Sequence, residues 1–270
     1  MVDTWHELAE LEKFSLELAR AAGSTAKAYF RKPVAVENKD GGGFDPVTSA
    51  DRAIESLLRD AIIERYPDHG IVGEEEGARA AQSRYTWIID PIDGTRSFIT
   101  GSPLWGTLVG LLRDGSPLLG VLCQPVLNEL FLGTRSGAWL IADDRRDRLS
   151  ARQCRDLSQA SLACTHPNMF DAATADAFAA LGQRCLMSRF GGDCYNYAML
   201  AAGFTDLVVE GRLKSYDIVP LIPIVEGAGG VVSDWQGRPP LDGGNVVAAA
   251  TPELHAQALE VLNDAASGRP

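Results

Sequence analysis

Residues 87–95, with the sequence WIIDPIDGT, constrain the fold of this chain more than any other stretch. The apolar, β-branched residues predict a buried strand that ends at Asp90 and Asp93. The proline between the two acids and Gly94 after them predict a tight turn into a helix that starts near Thr95. The carboxylates would then lie beside a helix N-terminus, where a hard cation and a phosphate can be held. The structural alternative is an Asp-Pro turn with Asp or Thr capping the helix.

The composition is that of an ordinary globular protein, with 270 residues, 46% hydrophobic and 23% charged, and allows one large domain or two small ones. A net charge of −11 argues against nonspecific binding to nucleic acid or to an anionic membrane. An acidic N-terminus and the lack of a long apolar run predict a cytoplasmic protein. Bound divalent cations would let such an acidic protein attract a phosphate.

The cysteines and histidines indicate neither a disulfide framework nor a zinc site. The five cysteines are scattered and include no C-x-x-C pair, so buried, reduced thiols are expected. The four histidines are equally dispersed, and none belongs to a recognisable metal or triad motif. These residues are Cys123, Cys154, Cys164, Cys185, Cys194, His6, His69, His166 and His255.

The order of apolar patterns predicts two halves. Helical periodicity at the start of the chain is followed by a second helix from about Thr48, and short strands with turn signals then cover residues 71–142. After a polar stretch at 143–148, strands and helices alternate. We therefore predict an N-terminal α+β half (1–148), with two helices packed on an antiparallel sheet, and a C-terminal α/β half (149–270), with the active site between them.

Four further acids lie where strands or loops meet helices, and each also has a purely structural interpretation. Glu74 belongs to a glutamate run of the kind found on solvated surfaces. Asp51 follows Thr48 by the spacing of a capping box. Asp217 could be the N-cap of a predicted helix over residues 217–226, with proline in its first turn. Glu210 could be an edge charge at the end of an apolar strand.

Taken together, these acids favour a metal site. Magnesium prefers several oxygen ligands, and phosphoester hydrolysis with two metals needs about three or four carboxylates. Asp90, Asp93, Glu74 and Asp217 supply that set, without a competing histidine or cysteine cluster.

Several motifs resemble the signatures of the inositol monophosphatase family. They are GEE at 73–75, DPIDGT at 90–95, and YD at 216–217 followed by EGAGG at 226–230, and the similarity extends over residues 39–234. The resemblance implies an α+β fold of the inositol monophosphatase/fructose bisphosphatase type, an αβαβα layered sandwich. It also implies a homodimer that uses Mg²⁺, about two or three ions per site. Mn²⁺ could replace Mg²⁺, and Li⁺ is expected to inhibit.

The same resemblance implies roles for individual residues. Asp51, Thr95 and Glu74 would be catalytic: Asp51 and Thr95 would orient and activate a water that attacks phosphorus, while a second cation stabilises the leaving alkoxide. The amides of Gly94 and Thr95 would hold the phosphate, and Lys39 with its glycine loop would match the family's mobile loop. The implied metal ligands are Glu74, Asp90, Asp93, Asp217 and the backbone carbonyl of Ile92.

The segment FGGDCYNY at 190–197 is similar to the histidinol-phosphatase branch, with its G-x-D-x-Y pattern. Residues 96–101 and Tyr216 also fit that branch better than the inositol enzymes. Asp193 and Glu210 would pair with the cationic amine and imidazole of histidinol phosphate, whereas inositol offers neutral hydroxyls. The structural alternative is that Asp193 caps the helix that begins near Cys194.

The predicted function is therefore Mg²⁺-dependent hydrolysis of a phosphate monoester, with histidinol phosphate, a substrate of histidine biosynthesis, ahead of its competitors. The enzymatic alternative is an inositol-1-monophosphatase or another small sugar phosphatase. The non-enzymatic alternative is a partner protein of the transcription machinery, although the acidic balance gives no support for RNA contact.

Overall fold

The computed structural model describes residues 2–33, 35–38, 46–143 and 145–266. These residues form eight α-helices and fifteen strands. The helices are α1 (Val2–Tyr29), α2 (Ser49–Arg65), α3 (Thr95–Ile99), α4 (Ala172–Arg184), α5 (Cys194–Ala201), α6 (Ser215–Ile218), α7 (Ile222–Gly227) and α8 (Pro252–Ala266). The strands are β1 (Val36–Asn38), β2 (Pro46–Thr48), β3 (Gly70–Gly73), β4 (Ala78–Arg79), β5 (Tyr85–Asp93), β6 (Gly106–Arg113), β7 (Ser116–Gln124), β8 (Glu129–Thr134), β9 (Gly137–Ala142), β10 (Arg145–Arg148), β11 (Ser161–Cys164), β12 (Met187–Phe190), β13 (Leu207–Leu213), β14 (Val231–Asp234) and β15 (Gly244–Ala249).

Two large sheets form the frame of the molecule. The first has eight strands in the order β10-β9-β8-β7-β6-β5-β3-β4, and the second has five in the order β12-β11-β13-β15-β14. From β5 to β10 each strand pairs antiparallel with the next, as the turn signals predict. β3 pairs parallel with β5, and β11 pairs parallel with β12 and β13. The remaining sheet is the antiparallel pair β1-β2.

Three hydrophobic clusters show how the layers stack. The first joins α1 and α2 to one face of the eight-stranded sheet, through residues such as Leu18, Ile54 and Trp87. The second lies between the sheets, where α5 and α7 separate residues such as Leu122 from Val208. The third joins α4 and α8 to the far face of the five-stranded sheet. The layers therefore alternate as the αβαβα sandwich that the family resemblance implies, and this expectation is confirmed.

The strand β13 shows why apolar residues occupy both faces of the five-stranded sheet. Its side chains alternate between the sheet faces, so that Val208 belongs to the second cluster while Leu207 and Val209 belong to the third. In β15, Val246 and Val247 divide in the same way. Because helices cover both faces of this sheet, apolar residues are needed on both sides of these strands.

Glycines in the eight-stranded sheet allow the segment around α7 to approach closely. A Cβ on Gly120 would lie 1.8 Å from the carbonyl oxygen of Pro220, and one on Gly133 would lie 2.2 Å from the backbone nitrogen of Ile224. Only glycine leaves room for backbone at these distances. This packing fixes the position of α6, which precedes α7 and contacts β5.

Other details qualify the sequence predictions. The second helix begins directly after its N-cap, Thr48, as predicted. The polar stretch at 143–148, where the boundary between the halves is predicted, includes the exposed strand β10. The division into halves 1–148 and 149–270 stays a prediction. All five cysteines lie in the described ranges and are free thiols. Among the described residues, none forms a helix with the length and apolar character needed to cross a membrane.

Candidate active site

Three carboxylates meet at the end of β5. Asp90 and Asp93 come from that strand and Asp217 comes from α6, and each offers an oxygen within 4.8 Å of the others. The pairing of β5 with β6 shifts register between Asp90 and Asp93, which marks an irregularity in the strand. Thr107 Oγ1 donates to the carbonyl oxygen of Pro91 at 2.8 Å and holds this irregular segment against β6. The convergence of the two acids of the DPID motif is thus built into the strand.

Burial and mutual repulsion raise the pKa values of these carboxyl groups. The pKa of Asp90 lies well above its ordinary value, first because of burial and then because of the charges of Glu74, Asp93, Asp217 and Asp51. The pKa of Asp93 is also raised well above its usual range, chiefly by burial and then by the neighbouring acids. Ionised carboxylates at this spacing repel one another, and a cation between them would relieve that repulsion. A set of mutually repelling carboxylate oxygens fits a hard divalent ion.

The turn after β5 has the predicted form. Gly94 adopts a φ of +86°, and α3 begins at Thr95. The Thr95 hydroxyl donates to the carbonyl oxygen of Ile92 at 3.1 Å, so two of the residues implicated by sequence are in contact. No side chain in the described part of the molecule caps α3, so the interpretation of this motif as a simple capped turn is wrong. Its N-cap residue, Gly94, has no side chain that could bond to the N–H groups of the first turn.

Asp51 and Glu74 approach the cluster from different elements. Asp51 is buried at the start of α2, and its Oδ2 accepts the Thr48 N–H at 2.8 Å, so the capping box is present. Its charge also raises the pKa of Asp90, which places Asp51 near the cluster as well. The side chain of Glu74 is half-buried and lines the cleft beside Asp90, unlike a solvated surface glutamate.

A cleft of about 210 Å³ extends from the cluster towards the five-stranded sheet, and Asp193 and Glu210 line it. Sequence reasoning did not find three other residues of this wall, Thr165, His166 and Met169. His166 Nδ1 accepts the Asn168 N–H at 3.1 Å, which leaves the proton of the neutral ring on Nε2. The sequence feature that could have indicated these three residues is their position just after the strand β11.

Glu210 is buried in the middle of its sheet. β13 is the central strand of the five, so the interpretation of Glu210 as an edge charge is wrong. Its carboxylate accepts hydrogen bonds from the Thr165 hydroxyl at 2.5 Å, the Thr165 N–H at 3.1 Å and the Tyr197 hydroxyl at 3.3 Å. Burial raises the pKa of Glu210 to about 7, against the opposing effect of the Thr165 bonds.

Asp193 occupies the N-cap position of α5 without capping it. Its backbone has a φ of 45° and a ψ of −136°, and among the described residues its carboxylate bonds to the Ser97 hydroxyl, at 2.9 Å, and to no N–H group of the helix. The group that accepts the Cys194 N–H, at 2.7 Å, is the carboxylate of Asp93. The helix-cap interpretation of Asp193 is therefore wrong. Burial raises the pKa of Asp193, and Ser97 and Arg96 partly offset the shift.

Asp217 is not an N-cap either. It is the third residue of α6, where its Oδ2 accepts the Lys214 N–H at 2.6 Å. The helix predicted over 217–226 is broken into α6 and α7, and Pro220 and Pro223, which lack an N–H, lie at the break. Lys39 and the rest of its glycine loop fall outside the described residues.

A layered αβαβα sandwich with an all-oxygen carboxylate cluster at a strand end is the arrangement expected for a metal-dependent phosphatase. A sequence model of the inositol monophosphatase family matches residues 7–267. This chain belongs to the inositol monophosphatase family of phosphatases. The resemblance that the motifs indicate is thereby confirmed.

Individual relatives point to more than one activity. The chain is 41% identical to the chloroplastic bifunctional phosphatase IMPL2 of Arabidopsis thaliana, over 94% of this chain and 76% of that protein. It is 35% identical to the histidinol-phosphatase of Chlorobaculum parvum, over 88% and 91% of the two chains. It is 32% identical to the Nus factor SuhB of Haemophilus influenzae, over 87% and 89%. The solved inositol monophosphatase of Zymomonas mobilis superposes with a TM-score of 0.84 at 37% identity, over 94% and 98%.

Proposed function

We propose that this protein hydrolyses histidinol phosphate to histidinol and phosphate and so serves histidine biosynthesis. The observation that carries the proposal is that two acids, Asp193 and Glu210, line the same cleft as the carboxylate cluster. A substrate that carries cationic groups besides its phosphate matches a cleft in which two more acids accompany the carboxylate cluster. The similarity to histidinol-phosphatases supports the same substrate.

The proposed cofactor is Mg²⁺, about two or three ions per site, with Mn²⁺ as a possible substitute and Li⁺ as an expected inhibitor. When bound, the metal would activate the attacking water and stabilise the leaving alkoxide. The crowded, all-oxygen donor set described above fits such ions. The proposed ligands are Glu74, Asp90, Asp93, Asp217 and the carbonyl oxygen of Ile92.

The chain's own groups would position the phosphate and the water. The N–H groups of Gly94 and Thr95, at the turn into α3, would hold phosphate oxygens. The Thr95 hydroxyl can donate to one partner while it accepts from another. It would orient the water and pass a proton towards Asp51. Lys39 would reach the phosphate from its loop.

Asp193 and Glu210 would distinguish histidinol phosphate from neutral sugar phosphates. Both carboxyl groups have raised pKa values in the buried cleft, that of Glu210 reaching about 7. A cationic amine or imidazole beside them would favour their ionised forms and bind through charge-assisted hydrogen bonds. Inositol phosphate has no cationic group, so it would offer Asp193 and Glu210 no partner of opposite charge.

The test compares kcat/KM for phosphate release from histidinol phosphate and from inositol 1-phosphate, with Mg²⁺ present. We expect a preference for histidinol phosphate that Asp193→Ala lowers by about 10- to 100-fold, as expected for a lost hydrogen bond to a charged group. Hydrolysis of inositol 1-phosphate should change little. Asp176→Ala, an exposed aspartate on α4, is the control and should leave both rates unchanged.

Two other outcomes would favour other functions. A preference for inositol 1-phosphate that survives in Asp193→Ala would assign this chain to the inositol phosphatases. Absence of any Mg²⁺-dependent activity would favour a role like that of the related Nus factor. The homodimer and the cytoplasmic location remain predictions, of which the first can be checked by light scattering.

A further inference from the structure

A buried glutamate of α2 holds the loop that carries Glu74. Glu55 has a fully buried side chain, with 0% exposure. Its Oε2 accepts the Glu75 N–H at 2.7 Å and its Oε1 accepts the Glu76 N–H at 2.9 Å. The Glu55 carboxylate thus bonds the backbone immediately after Glu74, although residues 74–76 of this loop are all glutamates. Burying a charge in such surroundings is costly unless its partners are well placed.

Arg59, one helical turn after Glu55, completes the arrangement. Its Nε and Nη2 both lie 2.8 Å from Glu55 Oε1, and Nη2 also donates to the carbonyl oxygen of Gly77. The same carbonyl oxygen accepts the Gly73 N–H at 3.1 Å, which closes the loop 73–77 on itself. The loop is therefore tied to α2 by a buried ion pair that contacts both its middle and its end.

Gly73 shows how closely this contact is fitted. A Cβ at this position would lie 2.2 Å from Glu55 Oε1 and 2.8 Å from Arg59 Nη2. Any larger residue would push the ion pair away from the loop. The glycine of the GEE motif is thus explained by the buried pair and not by a special backbone angle.

We propose that Glu55 and Arg59 are positioning residues that aim the Glu74 carboxylate at the metal site. The inference rests on the proposed role of Glu74 as a metal ligand. Glu74 lies between the closing hydrogen bond of Gly73 and the N–H groups held by Glu55, and its side chain lines the cleft. Since the backbone on both sides is fixed, Glu74 needs little reordering to bind a cation, and metal affinity benefits.

The substitution Glu55→Gln tests this arrangement with little change in volume. A carboxylate accepts on both oxygens, whereas an amide offers one oxygen and an NH₂ group. In Glu55→Gln the amide NH₂ group must therefore point at the Glu75 N–H, the Glu76 N–H or Arg59. All three are donors, so at least one hydrogen bond is lost. Glu64→Gln, at an exposed position of the same helix, is the matched control.

The experiment is a calorimetric titration of the metal-free, full-length protein with Mg²⁺, alongside thermal melts without metal. We expect Glu74→Gln to weaken Mg²⁺ binding, and Glu55→Gln to weaken it about 10- to 100-fold, the range found for outer-shell partners. In the double variant the two losses should not add, because Glu55 acts only through Glu74. Glu64→Gln should bind like the parent protein.

The possible failures are distinguishable. If Glu74→Gln leaves Mg²⁺ binding unchanged, the ligand assignment and the positioning role are both overturned. If Glu74→Gln weakens binding but Glu55→Gln does not, or if the losses add in full, the positioning role alone is overturned. If Glu55→Gln does not fold, Arg59→Lys decides, since it keeps the charge and loses the two-pronged contact. Unchanged Mg²⁺ affinity in Arg59→Lys would then contradict the proposal.

Discussion

The carboxylate of Asp93 accepts the backbone N–H of Cys194 at 2.7 Å and so joins the end of β5 to the start of α5. This bond connects the eight-stranded sheet to the helix layer between the sheets. It also brings Asp193 against the turn, where its Oδ2 lies 3.0 Å from the position of a Cβ on Gly94. This bond therefore helps to fix Asp93, a proposed metal ligand, relative to Asp193, a proposed substrate-binding acid.

Asp93→Asn should abolish most phosphatase activity. The amide oxygen can still accept the Cys194 N–H, so the fold should persist, but the negative charge offered to the metal is lost. Changes in outer-shell residues already cost about 10- to 100-fold in metal affinity or activity, so loss of a direct ligand should cost about 100-fold or more. Phosphate release at saturating Mg²⁺ measures the loss. Asp176→Asn is the exposed control, and a variant with near-normal kcat would show that Asp93 is not a ligand.

Gly94→Ala should impair both stability and activity. The backbone here has a φ of +86°, and a Cβ would also lie 3.1 Å from the Leu104 carbonyl oxygen as well as against Asp193. Gly115→Ala is the matched control, because Gly115 has a φ of +74° with nothing within 4 Å of its Cβ position. The control should lose about 1–2 kcal/mol of unfolding free energy from backbone strain alone. Gly94→Ala should lose more and should also raise KM, whereas equal effects in the two variants would contradict this explanation.

The parts of the site that were predictable are those encoded by neighbouring residues. The strand, turn and helix of residues 87–95 and the Thr48–Asp51 capping box depend on local turn and cap chemistry, so the sequence reveals them. The pairing of Thr165 with Glu210 depends instead on β11 lying parallel to β13, with Leu162 opposite Leu207. Strand order is a long-range property, and for this reason Glu210 could not be recognised as central.

The metal-free protein should become less stable as the pH rises through neutrality. The folded-state pKa values of Asp90 and Asp93 are raised well above normal, and that of Glu210 is raised from 4.5 to about 7. Between the unfolded and folded pKa values the native state binds more protons, so the free energy of unfolding falls as pH increases. Burial lowers the pKa values of His69 and His255 from 6.5, which acts in the opposite direction below that pH, so the decline in Tm should be measured on chelator-treated protein between about pH 6.5 and about pH 8.

Mg²⁺ should reduce that decline, because it binds the ionised carboxylates and competes with protons. Glu210→Gln should retain part of the pH dependence and lose the part that titrates up to about pH 7. A Tm that stays level or rises across this range in the chelated protein would show that the carboxylates are not buried as described.

Ser97→Ala should change how substrate recognition depends on pH. The Ser97 hydroxyl donates to Asp193 Oδ2 at 2.9 Å, and this bond lowers the pKa of a carboxyl group that burial otherwise raises. Without the bond, the pKa of Asp193 rises further, so a higher pH is needed to ionise it. If ionised Asp193 binds a cationic group of histidinol phosphate, the acid side of the kcat/KM profile must move to higher pH.

The comparison between parent and Ser97→Ala cancels the titration of the substrate itself, since both proteins see the same substrate. Inositol 1-phosphate, which lacks a cationic group, provides the second control, and its profile should stay in place. A shift that appears equally with both substrates would place the effect on the phosphate or metal end of the cleft. It would thereby contradict the assignment of Asp193 to the cationic end of the substrate, even if Asp193→Ala were inactive.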